Sequence, residues 1–525
     1  MRSNWAFPKG RVVRTLMIRS AAEYHVRTSY HRMDMNSHYL DWSGQPSVFK
    51  TYPGREAVSL SQNTVYSREK WSEVLERGCL SADESEMDFD RLSRIVLVSH
   101  AITAKARFGG ADFYYRSVAS AGALYPFELY VAVVNVHGIE NGVYHHDVAS
   151  RALTLLRPGN AFADISEAIT IEQDETPNTA FFLTSIFFRS SWKYRDRAYR
   201  YHLLDTGHLA ENLSLALKSE CLRFRLAYDF NDRTLNQLLG LDTSREVCLA
   251  VALVSGLRSP AHSNVVGLGE VAPDLAVCSK VAAREVDYPM IRQIHTASST
   301  IVEPVGSLPH MLDELGLSVQ SWTEVSRTGE PPESIGYADA VLTRRSMRNF
   351  VRNELPYDYF ASFVKALCSD SMNDTGPNDM GSSCVQVGFL TGRVQGLNPG
   401  FYLLDSTNRS IGLVAEGFLM DEMAHVCLGQ QWLMNAAINF LFLCNLEVLE
   451  RTWGPRGYRY AMLYAGRLGQ RIYIGATSMK IGCCGIGAFY DAEAVRLLRL
   501  NDKTKLLYLV AAGPVKKWSM GQDRV

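Results

Sequence analysis

Apolar positions along the chain fall into two kinds of run. Short, nearly continuous apolar stretches rich in β-branched and aromatic residues occur at 128–136, 181–188, 438–444 and 506–512. Stretches of that length and composition predict buried strands, covered on both faces. In contrast, 204–219 and 463–479 place apolar residues at helical spacing without a proline, which predicts two helices. A further helix is expected over 355–367. The most apolar segment, Trp432 to Leu446, is broken by Asn435, Asn439 and Asn445 and is too short to cross a bilayer as a helix, so a buried strand or helix is expected there. Strands interleaved with helices suggest an α+β layered architecture.

The pattern occurs twice. Tyr199, Arg200 and Tyr201 match Tyr458, Arg459 and Tyr460 at an offset of 259 residues, and the register continues through Leu204 and Leu463, Gly207 and Gly466, Phe230 and Phe489, and Asp232 and Asp491. Upstream, Gly138, Gly142, Tyr144 and Asp147 match Gly396, Gly400, Tyr402 and Asp405 at an offset of 258. Duplicated domains commonly pair about a twofold axis, so a fused pair predicts an intrachain pseudo-dimer. The expected division is an N-terminal domain over 1–256, a Pro/Ser/Gly-rich linker over 257–340 and a C-terminal domain over 341–525.

Composition narrows the function classes. At 525 residues with 47% apolar and 21% charged residues, the chain can bury more than one core. Its 54 basic and 55 acidic residues leave no global field to attract nucleic acid or an anionic membrane, so a small molecule or peptide is the expected partner. Residues 1–20 scatter Arg and Lys among short apolar pieces, unlike a secretory signal, and a cytoplasmic location is expected. The ten cysteines contain no CxxC pair, which argues against a disulfide frame or zinc site. His145, His146 and Asp147 are consecutive, and neighbouring strand side chains point to opposite faces, so no metal site is expected. Neither GxGxxG after a strand nor GxxxxGK[ST] occurs.

Four segments carry candidate chemistry. The first copy contains Tyr114-Tyr-Arg-Ser-Val-Ala-Ser-Ala-Gly-Ala-Leu-Tyr-Pro126 and Phe187-Phe-Arg-Ser-Ser-Trp-Lys-Tyr-Arg-Asp-Arg-Ala-Tyr-Arg-Tyr201. The second opens with Arg344-Arg-Ser-Met-Arg-Asn-Phe350 and closes with Gly482-Cys-Cys-Gly-Ile-Gly-Ala-Phe489. Together they resemble the SagB-type dehydrogenases of the FMN-dependent nitroreductase superfamily, which oxidise azolines to azoles in ribosomally made peptides. The resemblance covers about residues 20–256 and 341–518. It implies two fused nitroreductase-like domains, each a mainly antiparallel sheet flanked by helices. It further implies FMN as cofactor, a peptide or peptide-derived substrate, and a cyclodehydratase as a candidate partner.

Residue chemistry is compatible with those roles. In an extended segment Arg344, Ser346 and Arg348 share one face, offering two cations and a hydroxyl to a phosphate and ribityl chain. Ser120, Ala121, Gly122 and Ala123 are small enough for backbone to approach a planar ring. Gly485, Ile486 and Gly487 would bring amide donors to the flavin edge. Lys193 and Tyr194 match the Lys-Tyr pair to which azoline-oxidising members assign proton removal. Arg189, Arg195 and Arg197, close in sequence, are expected to lower both pKa values. One competent flavin site is expected, because at these offsets Asn378, Asp379, Met380 and Gly381 replace the small-residue loop, while Leu226, Ala227 and Tyr228 replace the glycine loop.

Overall fold

The computed structural model describes residues 17–34, 40–62, 64–77, 87–108, 111–171, 176–255, 266–326, 332–369 and 381–516. Two seven-stranded sheets have the same strand order. The first runs Ala57–Ser59, Ala152–Pro158, Gly142–Asp147, Phe127–Val133, Pro177–Ile186, Glu246–Ser255 and Phe224–Ala227. The second runs Ser321–Glu324, Ser410–Glu416, Gly400–Asp405, Gln386–Thr391, Ile438–Asn445, Thr504–Gly513 and Gly482–Ile486. All neighbours within both sheets are antiparallel. The predicted strands lie at the sheet centres and are buried along almost their whole length. Phe187 and Phe188, read from their apolar character as strand, instead begin a helix.

The repeat is also a repeat of structure. An offset of 259 relates the helices Phe187–Tyr194 and Leu446–Trp453, Ala198–Ser219 and Gly457–Ser478, and Asp232–Leu238 and Asp491–Leu497, end for end. The two 22-residue helices are buried nearly all round, as expected of helices at the centre of the molecule. They cross at Gly207 and Gly466. Their buried polar side chains satisfy one another: Glu211 accepts from Arg467 at 2.8 Å and Arg471 at 2.6 Å, and Gln470 bridges His208 and Asn212. Two crossed clasps join the halves. Asp491 accepts from Arg197 and Arg200, both at 2.7 Å, and Asp232 accepts from Arg456 at 3.0 Å and Arg459 at 2.6 Å.

The 257–340 stretch carries more structure than its Pro/Ser/Gly content suggests. It supplies the helix Pro289–Ala297, the start of the helix Tyr337–Thr343, and the edge strand Ser321–Glu324 of the second sheet. His295 on the first of these helices lies 3.7 Å from Asp232, as His25 on the helix Ala21–Arg27 lies 3.4 Å from Asp491. The stretch therefore repeats the role of the chain's early residues, where a short amphipathic helix docks on an acidic clasp. Among the described residues no helix is long and apolar enough to cross a membrane.

Candidate functional site

The small-residue segment forms a tight turn. Ala121–Ala123 is one turn of 3-10 helix, with positive φ at Gly122 (67°), Ala123 (54°) and Tyr125 (45°). Non-glycine residues enter this region only when their surroundings hold them there. The anchor is Asp205, on the first long helix. Ser120 Oγ donates to its carboxylate at 2.5 Å, and the Ala121 amide donates to both carboxylate oxygens at 3.2 and 3.3 Å. Ser120 Oγ in turn accepts from the Tyr125 amide at 2.9 Å. Sequence reasoning missed Asp205. The available signal was the repeat itself, since the matching position holds Tyr464.

Lys193 and Tyr194 end the helix Phe187–Tyr194 against this turn. A Cβ on Gly122 would lie 2.8 Å from Tyr194 Oη and 3.1 Å from Lys193 Nζ, so glycine is what lets them close on the loop. Burial lowers the Lys193 pKa, and Arg348 from the second domain lowers it further. Tyr194 corrects the expectation from sequence. Burial holds its hydroxyl well above the ordinary phenol range, Tyr201, Asp205 and Tyr30 push the same way, and Arg348 opposes only weakly. Two of the three arginines near it in sequence are committed elsewhere: Arg189 to Glu128 and the carbonyls of Ser47 and Tyr125, Arg197 to Asp491.

The second domain closes the opposite side. Residues 344–349 form neither helix nor strand and do not present a uniform face: Arg344 is buried, whereas Ser346 and Arg348 are exposed. The Arg344 guanidinium donates to the carbonyls of Arg116, Ser117 and Val118 at 2.9, 3.0 and 3.4 Å, tying the second domain to the strand that leads into the small-residue turn. Its Nη1 is buried and has no hydrogen-bond partner among the described residues. Arg348 is exposed, lies over the Trp432 ring at 5.6 Å and bonds Cys484. Ser346 Oγ lies 2.9 Å from the Tyr473 hydroxyl, which also accepts from the Gly485 amide at 2.7 Å. That amide, expected to face the flavin, is therefore already engaged. Tyr473 too was missed in the sequence, and its counterpart is Ser214.

The two glycines make room for tyrosines. A side chain at Gly485 would overlap the Tyr508 hydroxyl, and one at Gly487 would meet the Tyr201 ring at 2.5 Å. Tyr201 stacks at a tilt on Tyr194, ring centroids 4.3 Å apart, so the glycine segment reaches the Lys-Tyr pair through one aromatic ring. In the mirror location Tyr228 stands where Gly487 would be, its carbonyl accepting from Arg456 as that of Gly487 accepts from Arg197. Leu226, Ala227 and Tyr228 are all buried there. Of the opposing segment, Asn378, Asp379 and Met380 lie outside the described residues, and Gly381 begins a short helix. His145 bonds Glu128 at 2.9 Å and His146 lies 3.1 Å from His100, so the two histidines serve separate buried networks.

Comparison with known proteins places this architecture. The nitroreductase family model matches residues 68–256 and 341–514, together more than half of the chain. A nitroreductase-type protein of Methanocaldococcus jannaschii is 27% identical over 180 residues, 33% of this chain and 90% of the relative. The crystal structure of a nitroreductase-type protein from Anabaena variabilis superposes with a TM-score of 0.74 at 24% identity, over 95% of this chain and 100% of that one, and so shares the fold across both halves. The chain belongs to the nitroreductase family, whose members are flavin-dependent oxidoreductases, and carries two nitroreductase domains.

Proposed function

We propose that the protein is an FMN-dependent dehydrogenase that oxidises thiazoline or oxazoline rings to azoles in a peptide or peptide-derived substrate. The observation that carries this reading is the placement of Lys193 Nζ and Tyr194 Oη on the Gly122 turn, with Arg348 from the other domain acting on Lys193. A reductase of nitro compounds or quinones needs no base to remove a carbon-bound proton; a dehydrogenase does.

The residues fit a flavin nucleotide. Arg344 Nη1, buried and without an acceptor among the described residues, suits an anionic oxygen, exposed Arg348 and Ser346 extend the same segment, and the turn at Gly122 carries only small side chains of its own beside Lys193 and Tyr194. FMN bound here supplies the two-electron acceptor. Lys193, with its ammonium form disfavoured, takes the ring Cα proton. Tyr194 keeps its own proton and can donate a hydrogen bond. The substrate loses one proton and one hydride equivalent and becomes aromatic; an external oxidant such as dioxygen accounts for the electron pair over a full cycle. Arg344, bonded across the domain boundary to the segment that leads into the Ser120–Ala123 turn, and that turn itself orient the reactants. A cyclodehydratase that makes the azoline is the partner this chemistry calls for.

The test is incubation of FMN-loaded protein with a thiazoline-containing peptide, read by mass spectrometry as loss of two hydrogens per ring. An unchanged peptide, with nitroaromatic or quinone reduced at the expense of a nicotinamide donor, would refute the reading and favour a reductase.

A further inference from the structure

Asp205 is a buried acidic group on the first of the two long central helices. It is 3% exposed, and among the described residues no cation pairs with it. The groups facing it are Ser120 and the Ala121 amide from the turn, Tyr194 from the helix Phe187–Tyr194 and Tyr508 from the strand Thr504–Gly513. His208, on its own helix, reaches Tyr508 at 3.1 Å rather than Asp205.

Building on the flavin reading above, the geometry points to Asp205 as the positioning residue of the site, a carboxylate latch that holds the Ser120–Ala123 turn for flavin at a cost to the stability of the fold. Three observations converge. The turn has positive φ at Gly122, Ala123 and Tyr125, so it needs an external hold, and Asp205 receives both donors at its start. The turn is also the surface on which Lys193 and Tyr194 close, so a shift of Gly122 displaces both. Finally, the matching position of the second half holds Tyr464 in place of a carboxylate.

The cost follows from burial. With only Ser120 and Ala121 opposing it, burial pushes the Asp205 carboxyl up to about 7. A carboxyl raised in the folded state gives its full stabilisation below its ordinary value, and loses it as pH rises toward about 7. At neutral and alkaline pH the fold therefore carries the ionised latch at a cost to its stability. A carboxylate kept only for structure would show the opposite, since its replacement would lower stability.

Two readouts on Asp205→Asn, one of them independent of flavin, test this. Apo-protein should melt higher than wild type at pH 8, by about 2 °C or more, with the gain shrinking toward pH 5. FMN, followed by quenching of its fluorescence, should bind about tenfold more weakly, because the amide turns an N–H end toward one of the two donors. Ser120→Ala should weaken FMN similarly without raising the pH 8 melting temperature. A lower pH 8 melting temperature for Asp205→Asn, or unchanged FMN affinity in either variant, would overturn the latch. If wild-type protein binds no FMN at all, the flavin reading itself fails, while the melting profile still reports whether Asp205 is held at a cost.

Discussion

Gly207 and Gly466 meet backbone to backbone where the two long helices cross. A Cβ on Gly207 would sit 3.0 Å from the Gly466 Cα and overlap the Leu463 carbonyl oxygen, and one on Gly466 would overlap the Leu204 carbonyl oxygen. Contact this close is open only to residues without a side chain. Gly207→Ala should therefore force the helices apart and lower stability by about 1–3 kcal/mol, read as the midpoint of urea unfolding. Because Asp205 lies two residues away on the same helix, the variant should also bind FMN less well. Wild-type stability in Gly207→Ala would show that the crossing yields easily.

The acidic clasp at Asp491 predicts a distinct acid sensitivity. Arg197 and Arg200 hold its carboxyl well below the usual carboxylate range, against the opposing effect of burial. A depressed carboxyl contributes stability above its ordinary value and loses it as pH falls through the depressed one. Asp491→Ala leaves two buried guanidinium groups without their partner and should cost about 3–5 kcal/mol at pH 7. The deficit should narrow as the wild type approaches acid unfolding. A deficit that stays constant down to pH 3 would mean that the clasp acts by packing rather than by charge.

The pH dependence of turnover should separate Lys193 from Tyr194. As base, Lys193 works in its neutral form, so activity rises with pH through its lowered pKa. Removing the nearby cation with Arg348→Gln lets that pKa rise, so the ascending limb should move to higher pH. Lys193→Ala should cost about 100-fold to 10,000-fold in turnover with FMN retained. Tyr194→Phe should cost less, since burial keeps its hydroxyl protonated. Equal losses in the two variants, with no shift of the limb in Arg348→Gln, would rule out Lys193 as the base.

How far the sequence can be read depends on whether a feature is local. The central strands were legible because their runs are almost continuously apolar and the two long helices because their apolar residues recur at helical spacing, and the 259 offset reproduces three helix pairs to the residue. Phe187 and Phe188 misled because a buried helix start is as apolar as a strand. The helix Pro289–Ala297 and the strand Ser321–Glu324 were hidden by a proline at the helix start and by a short, exposed edge strand, both of which resemble loop in composition. The sign at Tyr194 was lost because charge close in sequence is not charge close in space: Arg189 and Arg197 turn away to Glu128 and Asp491. Asp205 and Tyr473 depend on packing across elements, and only their mismatch with Tyr464 and Ser214 marked them.

The same asymmetry predicts the flavin stoichiometry. Each part of the candidate site is drawn from a different half: the Ser120–Ala123 turn and Asp205 from the first, and Arg344, Ser346, Arg348 and the Gly485–Gly487 segment from the second. In the mirror location Tyr228 occupies the place of Gly487 under an equivalent arginine bond, and Tyr464 replaces Asp205. A tyrosine in place of a glycine fills space that a planar ring would need, and Tyr464 brings no carboxylate to the position that matches Asp205. We therefore expect about one FMN per chain, with binding abolished or strongly weakened in the Arg344→Ala, Arg348→Ala double variant. Changing Arg27, which pairs with Glu23 at 3.2 Å, should have little effect. Flavin released by heat and quantified against protein checks the ratio; two per chain would require Tyr228 to move aside and would refute the composite site.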